Sequence, residues 1–381
     1  MEQERILSYN HRRACAHDAV RSQERIAETG STTISGQGCS HVFGCLIALL
    51  IFTTAFASTG YCQQSGIQYV SRTGQDANNG LSWQTAKATI PAAYAALSPC
   101  SIEGKLWKHC GEIKVGAGEF HVASSIVLES PFVFVRGRGP TVTVVKYTAN
   151  HGCAISWTAN PLNAASGDSY AGGLFDLTIE GTGAPAGNSP WPLAFHSTSS
   201  PHLSASWGGA CGLETRDIEG FQMHGVEIIN FTSGACWWDH EARAWNERFR
   251  VSAELAGCAV GWLLQNDTTA AYYPSTTFGY GNFDLWINPT APGQIGVLQS
   301  AGALTYSDVH LIENLAGNTT AFVLTNSAKW ESNMINFHFE GPGAAVGFSL
   351  DRNTIFRGVG PVNSGLLNEL DGTYLVSPGS D

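Results

Sequence analysis

Asp284 and Asp308 are the two residues whose type and spacing suggest chemistry most directly. They sit in two similar segments, FDLWI (283–287) and SDVHL (307–311). If Leu285 stacks beside Val309, both carboxylates take the same outward position on adjacent strands, about 5 Å apart. Two carboxylates that close cannot both ionise freely: one holds its proton more tightly, or a cation sits between them. The first arrangement suits a retaining glycosidase, in which one carboxylate attacks while the other shuttles the proton. The second is a Ca2+ site, where the metal acidifies a sugar C–H and Arg250 takes the proton. The plainer alternative is a pair of solvated aspartates, or side chains bonded to turn backbone.

Other reactive residues fall nearby. His310 adds an imidazole that could act as acid or base or orient a substrate. Aligning FDLTI (175–179), HGVEI (224–228), RFRV (248–251), FDLWI, SDVHL and NMINF (333–337) gives two outward ladders. One runs Thr178, Glu227, Arg250, Trp286, His310, Asn336; the other runs Asp176, Gly225, Arg248, Asp284, Asp308, Met334. Glu227, Trp286 and Asn336 would then line a substrate, although Glu227 and Arg250 could equally form a surface ion pair. CWWDHEARAWNERFR (236–250) is the densest polar-aromatic stretch. Its Trp237, Trp238 and Trp245 could stack on sugar rings, with Asp239 or Glu241 supplying an acid, or could pack on the protein body. AAYYPSTTFGYG (270–281) could wall the same groove, and His338 with Glu340 is a reserve acid–base pair. No C-x-x-C pair, P-loop, dinucleotide fingerprint, G-x-S-x-G or H-E-x-x-H occurs, so no zinc site is expected.

The elements that must position these residues are short strands. Charged residues make up only 13% of the 381, and Gly is abundant at 43. That balance indicates a strand-rich, secreted chain with a large core. A net charge of −11 disfavours nucleic acid, which requires clustered Lys and Arg. The run at 41–57, HVFGCLIALLIFTTAFA, is short for a spanning helix and ends in an A-x-A-like site. It reads as a secretory signal cleaved after Ala57; a membrane association follows only if it stays uncleaved. Seven of the ten cysteines lie beyond Ala57, and Cys100 with Cys110 brackets one insert where an oxidising compartment allows a bridge.

Taking Leu177, Val226, Phe249, Leu285, Val309 and Ile335 as equivalent gives spacings of 49, 23, 36, 24 and 26. A spacing near 24 is one rung, 49 is two, and 36 is one with an insertion, which signifies stacked repeats. The expected fold is all-β: a right-handed single-stranded parallel β-helix with a short N-terminal capping helix. A many-stranded β-sandwich is the alternative. Cys236 and Cys258 would stack on adjacent rungs, and Asn230, Asn288 and Asn314 would form an amide ladder. The helix is expected from Thr89, with Pro91 in its first turn and Ile90, Tyr94 and Leu97 on one face; Trp83 would pack at its entrance. Residues 1–57 are read as extension and signal, 58–110 as linker, edge strand and cap, and 111–381 as the β-helix.

YVSRTGQDANNGLSWQTAKATIPAAYAAL (69–97), followed by GEIKVGAGEFHVASSIVL and VFVRGRG, resembles the opening of pectate-lyase-superfamily β-helix proteins. These include bacterial polysaccharide-degrading enzymes and phage tailspike-type proteins. The resemblance implies the β-helix and a glycan partner. It carries no catalytic residues, because the polygalacturonase Asn-Thr-Asp, Asp-Asp and Arg-Ile-Lys motifs and the Arg-rich site of pectate lyases are missing here. Three functions follow as expectations. The first is a secreted protein that cleaves a polysaccharide by hydrolysis or β-elimination. The second is a non-catalytic glycan-binding or adhesin-like β-helix. The third is a structural spike, which would be a trimer rather than a monomer.

Overall fold

Strands of two to eight residues stack in parallel; those of the front sheet bury alternate side chains, as in Asn282–Asn288, whereas back-sheet strands such as Val260–Asn266 bury nearly every residue. In the computed structural model the described residues are 66–102, 105–130, 132–158, 172–183, 209–241, 246–266, 277–343 and 345–377. They belong to one compact unit, Cys62–Asp381. The segment read as signal, and Cys62, lie outside the described residues.

Two parallel sheets run most of the length of the stack, and from Asn246 onward a third joins them, so that each later turn of chain visits all three in order. The front sheet runs from Gly66–Val70 through Gly111–Val115, Val133–Arg136, Gly173–Glu180, Gln222–Ile229 and Arg250–Ala256. It continues through Asn282–Asn288, Asp308–Asn314 and Met334–Glu340 to Val362–Ser364. A nine-stranded back sheet includes Gly152–Thr158, Ala210–Arg216, Ala235–Glu241 and Val260–Asn266. A six-stranded side sheet starts with Asn246–Glu247, Thr277–Gly279 and Ala303–Thr305. The fold is the expected right-handed parallel β-helix. The only antiparallel pair among the named strands is Cys100–Ile102 with Lys105–Trp107, at the insert closed by the Cys100–Cys110 disulfide.

The N-terminal helix, Ile90–Ala95, begins as its sequence requires. Thr89 is extended, and its hydroxyl accepts the amide N–H of Ala92 at 3.2 Å, satisfying a donor the first turn leaves free. Ile90, Ala93 and Leu97 are buried against the first rungs. The helix therefore covers the open end of the stack, where exposed strand edges would otherwise invite pairing. Trp83 packs differently from expectation: it meets Tyr69 edge-on at 4.8 Å and lies beneath the Arg138 guanidinium at 4.9 Å.

Inward columns form the core. Leu177, Val226, Ala253, Leu285, Leu311 and Phe337 are successive partners on the front sheet. Leu213, Trp237, Trp262, Val297, Phe322 and Phe348 face them from the back. Trp237 and Trp262 stack at 5.1 Å. Two further disulfides are present, Cys236–Cys258, whose cysteines are expected on adjacent rungs, and Cys153–Cys211.

The register corrects the sequence alignment in three places. Leu177 pairs directly with Val226, so the 49-residue spacing is one rung carrying a long insertion. Ala253, rather than Phe249, is the equivalent of Val226. Leu311 and Phe337, rather than Val309 and Ile335, stand beside Leu285. Each of these last errors keeps the correct face, because a shift of an even number of residues preserves the inward–outward alternation. The amide ladder is present in part. Asn314 Nδ2 donates to Asn288 Oδ1 at 3.2 Å, whereas Asn230 lies one residue past the matching position, in left-handed geometry.

Candidate functional site

The corrected register brings a different pair together. Asp284 stands opposite His310 rather than Asp308, and its Oδ1 lies 2.8 Å from His310 Nδ1. Both side chains are substantially exposed. Asn336 is the next partner of His310 on the following strand. Asp308 precedes His310 by two residues on the same outward face, between Asn282 and Met334. Trp286 follows Asp284 by two, again facing out, and is 49% exposed. Asp284, Asp308, His310, Trp286 and Asn336 therefore share one face, but not one ladder.

This geometry alters the chemistry. The two aspartates are offset by one strand and two residues, so their α-carbons are about 8 Å apart, not 5 Å. A single cation between them is not supported, and among the described residues no group of three or more His, Cys, Asp or Glu side chains is arranged to hold a metal. The Ca2+ expectation loses its ligand pair. What remains is an imidazole oriented by a carboxylate. When Nδ1 donates to Asp284, Nε2 is left to take or deliver a proton, and the carboxylate stabilises the imidazolium that forms.

Other expected residues lie elsewhere. Arg250 is outward on the front sheet, but its neighbours are Gln222 and Asn282. It is therefore not beside Glu227, which stands between Thr178 and Glu254 and accepts from the Thr178 hydroxyl at 3.0 Å. Trp237 is buried in the core and donates its indole N–H to Thr215 Oγ1 at 2.8 Å, so no glycan reaches it. Trp238 is on the back sheet, stacked on His240 at 4.6 Å, and shares no groove with Asp284. Asp239 is buried, and burial pushes its carboxyl well up despite hydrogen bonds from Thr215 and Asn246. It is a hydrogen-bonding partner in the core rather than a surface acid. Trp245, Tyr272 and Tyr273 lie outside the described residues. His338 Nε2 and Glu340 Oε1 do pair, at 2.6 Å, one rung beyond His310.

Two groups escaped the sequence reading. On the back sheet Ser156 donates to Glu214 Oε2 at 2.6 Å, and His240 Nδ1 is 3.6 Å from Glu214 Oε1. Burial raises the Glu214 carboxyl, but the neighbouring His240, the Ser156 hydrogen bond and the charges of His240 and Arg216 hold it below the usual range. A carboxylate stabilised in this way is a weak base, so it does not activate the Ser156 hydroxyl as a nucleophile. At the side-sheet edge Glu219 and Glu247 pair through their backbones, and the Arg248 guanidinium donates to the Glu219 carboxylate. Burial and the Glu219 charge push Glu247 up to about 7, against the opposing charge of Arg248.

Between the ordinary Glu value of 4.5 and about 7, folded Glu247 holds a proton that the unfolded chain does not. Stability at this site therefore falls as pH rises through that window. Glu247→Gln is expected to flatten that slope and, allowing for solvent screening, to stabilise the protein by about 1 kcal/mol above pH 7. Urea unfolding at pH 5 and pH 8 checks both points.

No protein-family model and no curated protein sequence matches the chain. Solved structures do resemble it in shape. A pectin methylesterase in complex with a hexasaccharide is 10% identical, with 82% of each chain covered and a TM-score of 0.36. The pectin methylesterase PemA from Erwinia chrysanthemi is 12% identical, with 82% of each chain covered and a TM-score of 0.32. The alginate lyase from Paenibacillus sp. str. FPU-7 is 11% identical, with 71% of this chain and 92% of the other covered, and a TM-score of 0.34.

Proposed function

We propose that this chain is a secreted, carbohydrate-active β-helix that cleaves an extracellular polysaccharide on its front sheet. The observation that carries the proposal is the Asp284–His310 pair, an exposed imidazole held by a carboxylate. Asn336 and Asp308 flank it, and Trp286 lies on the same face. A chain laid across the rungs meets these groups in succession. His310 is the proton-transfer group, Asp284 its orienting partner, and Asp308 a second carboxylate on the same face. The three disulfides support an oxidising compartment. No helix among the described residues is long and apolar enough to cross a membrane.

Incubating the purified protein with a panel of glycans tests the proposal. New reducing ends without ultraviolet absorbance identify hydrolysis; unsaturated, absorbing products identify β-elimination. Silence across the panel contradicts cleavage. Binding without turnover supports the second reading, a glycan-binding surface, which is favoured by the exposed aromatic rings beside this face.

A further inference from the structure

Where the side sheet turns into the front sheet, one residue per rung takes left-handed geometry. Arg248, Tyr280 and Tyr306 occupy this column with φ of 59°, 54° and 52°, and Gly220 begins it at 75°. Their amide N–H groups continue the ladder: Gly220 bonds Glu247 O at 2.8 Å, Arg248 bonds Gly279 O at 2.9 Å, and Tyr280 bonds Thr305 O at 3.2 Å. The backbone alone thus makes the turn, and glycine or asparagine suits it best. Tyrosine there is held against its preference, a condition that points towards a use for the side chain. The two rings stack on each other at 5.1 Å with planes 16° apart, yet remain 55% and 58% exposed. They end two residues before Asn282 and Asp308, the first outward residues of the front strands that carry Asp284 and His310.

Charge on that face narrows the ligand. From Arg250 to Glu340 the outward positions of the front sheet carry four carboxylates, Glu254, Asp284, Asp308 and Glu340, against one guanidinium, Arg250. His310 and His338 are each held by one of these carboxylates. On the earlier rungs Arg136 bonds Glu112 and Asp176, and Lys146 lies beside Glu180. A polymer with a carboxylate on every sugar would meet an excess of like charge on these later rungs. An uncharged pyranose chain would not, and its apolar ring faces match aromatic platforms.

We infer that Tyr280 and Tyr306 form a stacking subsite for a neutral polysaccharide, and that this face selects against polyuronates. The inference rests on the glycan reading above and makes it more specific. Because β-elimination requires a carboxylate-bearing sugar, cleavage here is hydrolytic: water delivers a hydroxyl to the anomeric carbon and a proton to the leaving oxygen.

Affinity electrophoresis through gels containing xylan, β-glucan, galactomannan or starch, and through polygalacturonate or alginate, tests this. The wild-type chain should be retarded by a neutral glycan and not by the polyuronates. Tyr280→Gly/Tyr306→Gly should weaken that retardation about tenfold or more without lowering the melting temperature, since glycine fits both left-handed positions. Tyr280→Asn/Tyr306→Asn should behave alike. Retardation by polyuronates in preference to neutral glycans overturns the inference but leaves the glycan reading standing. Neutral-glycan binding unchanged in both double variants overturns the subsite. Retardation by no glycan overturns the glycan reading, and the inference with it.

Discussion

Replacing Glu313 with Met is expected to stabilise the protein by about 1–4 kcal/mol at neutral pH. Glu313 lies in the inward column Ile179, Ile228, Leu255, Ile287, Glu313, Phe339, where every other member is apolar. It is fully buried, and neither carboxyl oxygen has a hydrogen-bond partner among the described residues. The carboxyl lies where a side chain on Gly296 would be: a Cβ built there would come 1.9 Å from Oε2. A buried polar group without partners loses its hydration for nothing in return, and burial pushes this carboxyl well above the ordinary Glu value. A raised folded value means that stability falls as pH rises past the unfolded value of about 4.5, by about 1.4 kcal/mol per unit until the folded group ionises. Met keeps the unbranched length beside Gly296 and removes the charge, so it should remove this site's share of the slope and leave that of Glu247. Gln should remove the same share but gain less, because its amide remains unpaired. Urea unfolding of the wild type, Glu313→Met and Glu313→Gln at pH 5 and pH 8 checks this; equal stability of the wild type and Glu313→Met at pH 8 would contradict it.

How much of this is legible in the sequence depends on which physical signal is read. The β-helix follows from strands repeated at rung spacing, and the capping helix from Thr89 and Pro91, because both are local patterns. The nearness of Cys236 and Cys258 follows from the same spacing, although their bridge is seen only in the structure. Register is less legible. Phe249, Val251, Ala253 and Leu255 alternate without a break, as do Val309 and Leu311, so a two-residue slip costs nothing in hydrophobic pattern. Asp176 and Gly225 also take left-handed geometry, and the ladder shifts between His224 and Val226. An extra residue of that kind has no signature in alternation alone. The site inherits the ambiguity: alternation puts these residues on the correct face, but matches Asp284 with Asp308 instead of His310. Trp237 shows a second limit, since adjacent tryptophans must face differently and composition does not say which is inside. Glu313 shows a third. Polar residues are read as outward, and only the strand's own alternation, Val309, Leu311, Glu313, marks this one as inward.

The proposed cleavage depends on Asp284 and His310 acting together on a glycan at the front sheet. His310→Ala is expected to lower the rate of product release by about 100- to 10,000-fold, the usual contribution of a positioned acid or base. Asp284→Asn keeps the shape but loses the charge that orients and supports the imidazole, and should cost about 10- to 100-fold. The double variant should be no worse than His310→Ala alone, because groups acting as a unit are not additive. Exposed residues at these positions contribute little to stability, so the melting temperature should hold within a few degrees. The deciding measurement is therefore the initial rate of reducing-end formation for the wild type, both single variants and the double. Joint action predicts a large loss in His310→Ala, a smaller loss in Asp284→Asn, and no further loss in the double. Full turnover in His310→Ala, or independent multiplying losses from the two substitutions, would contradict it.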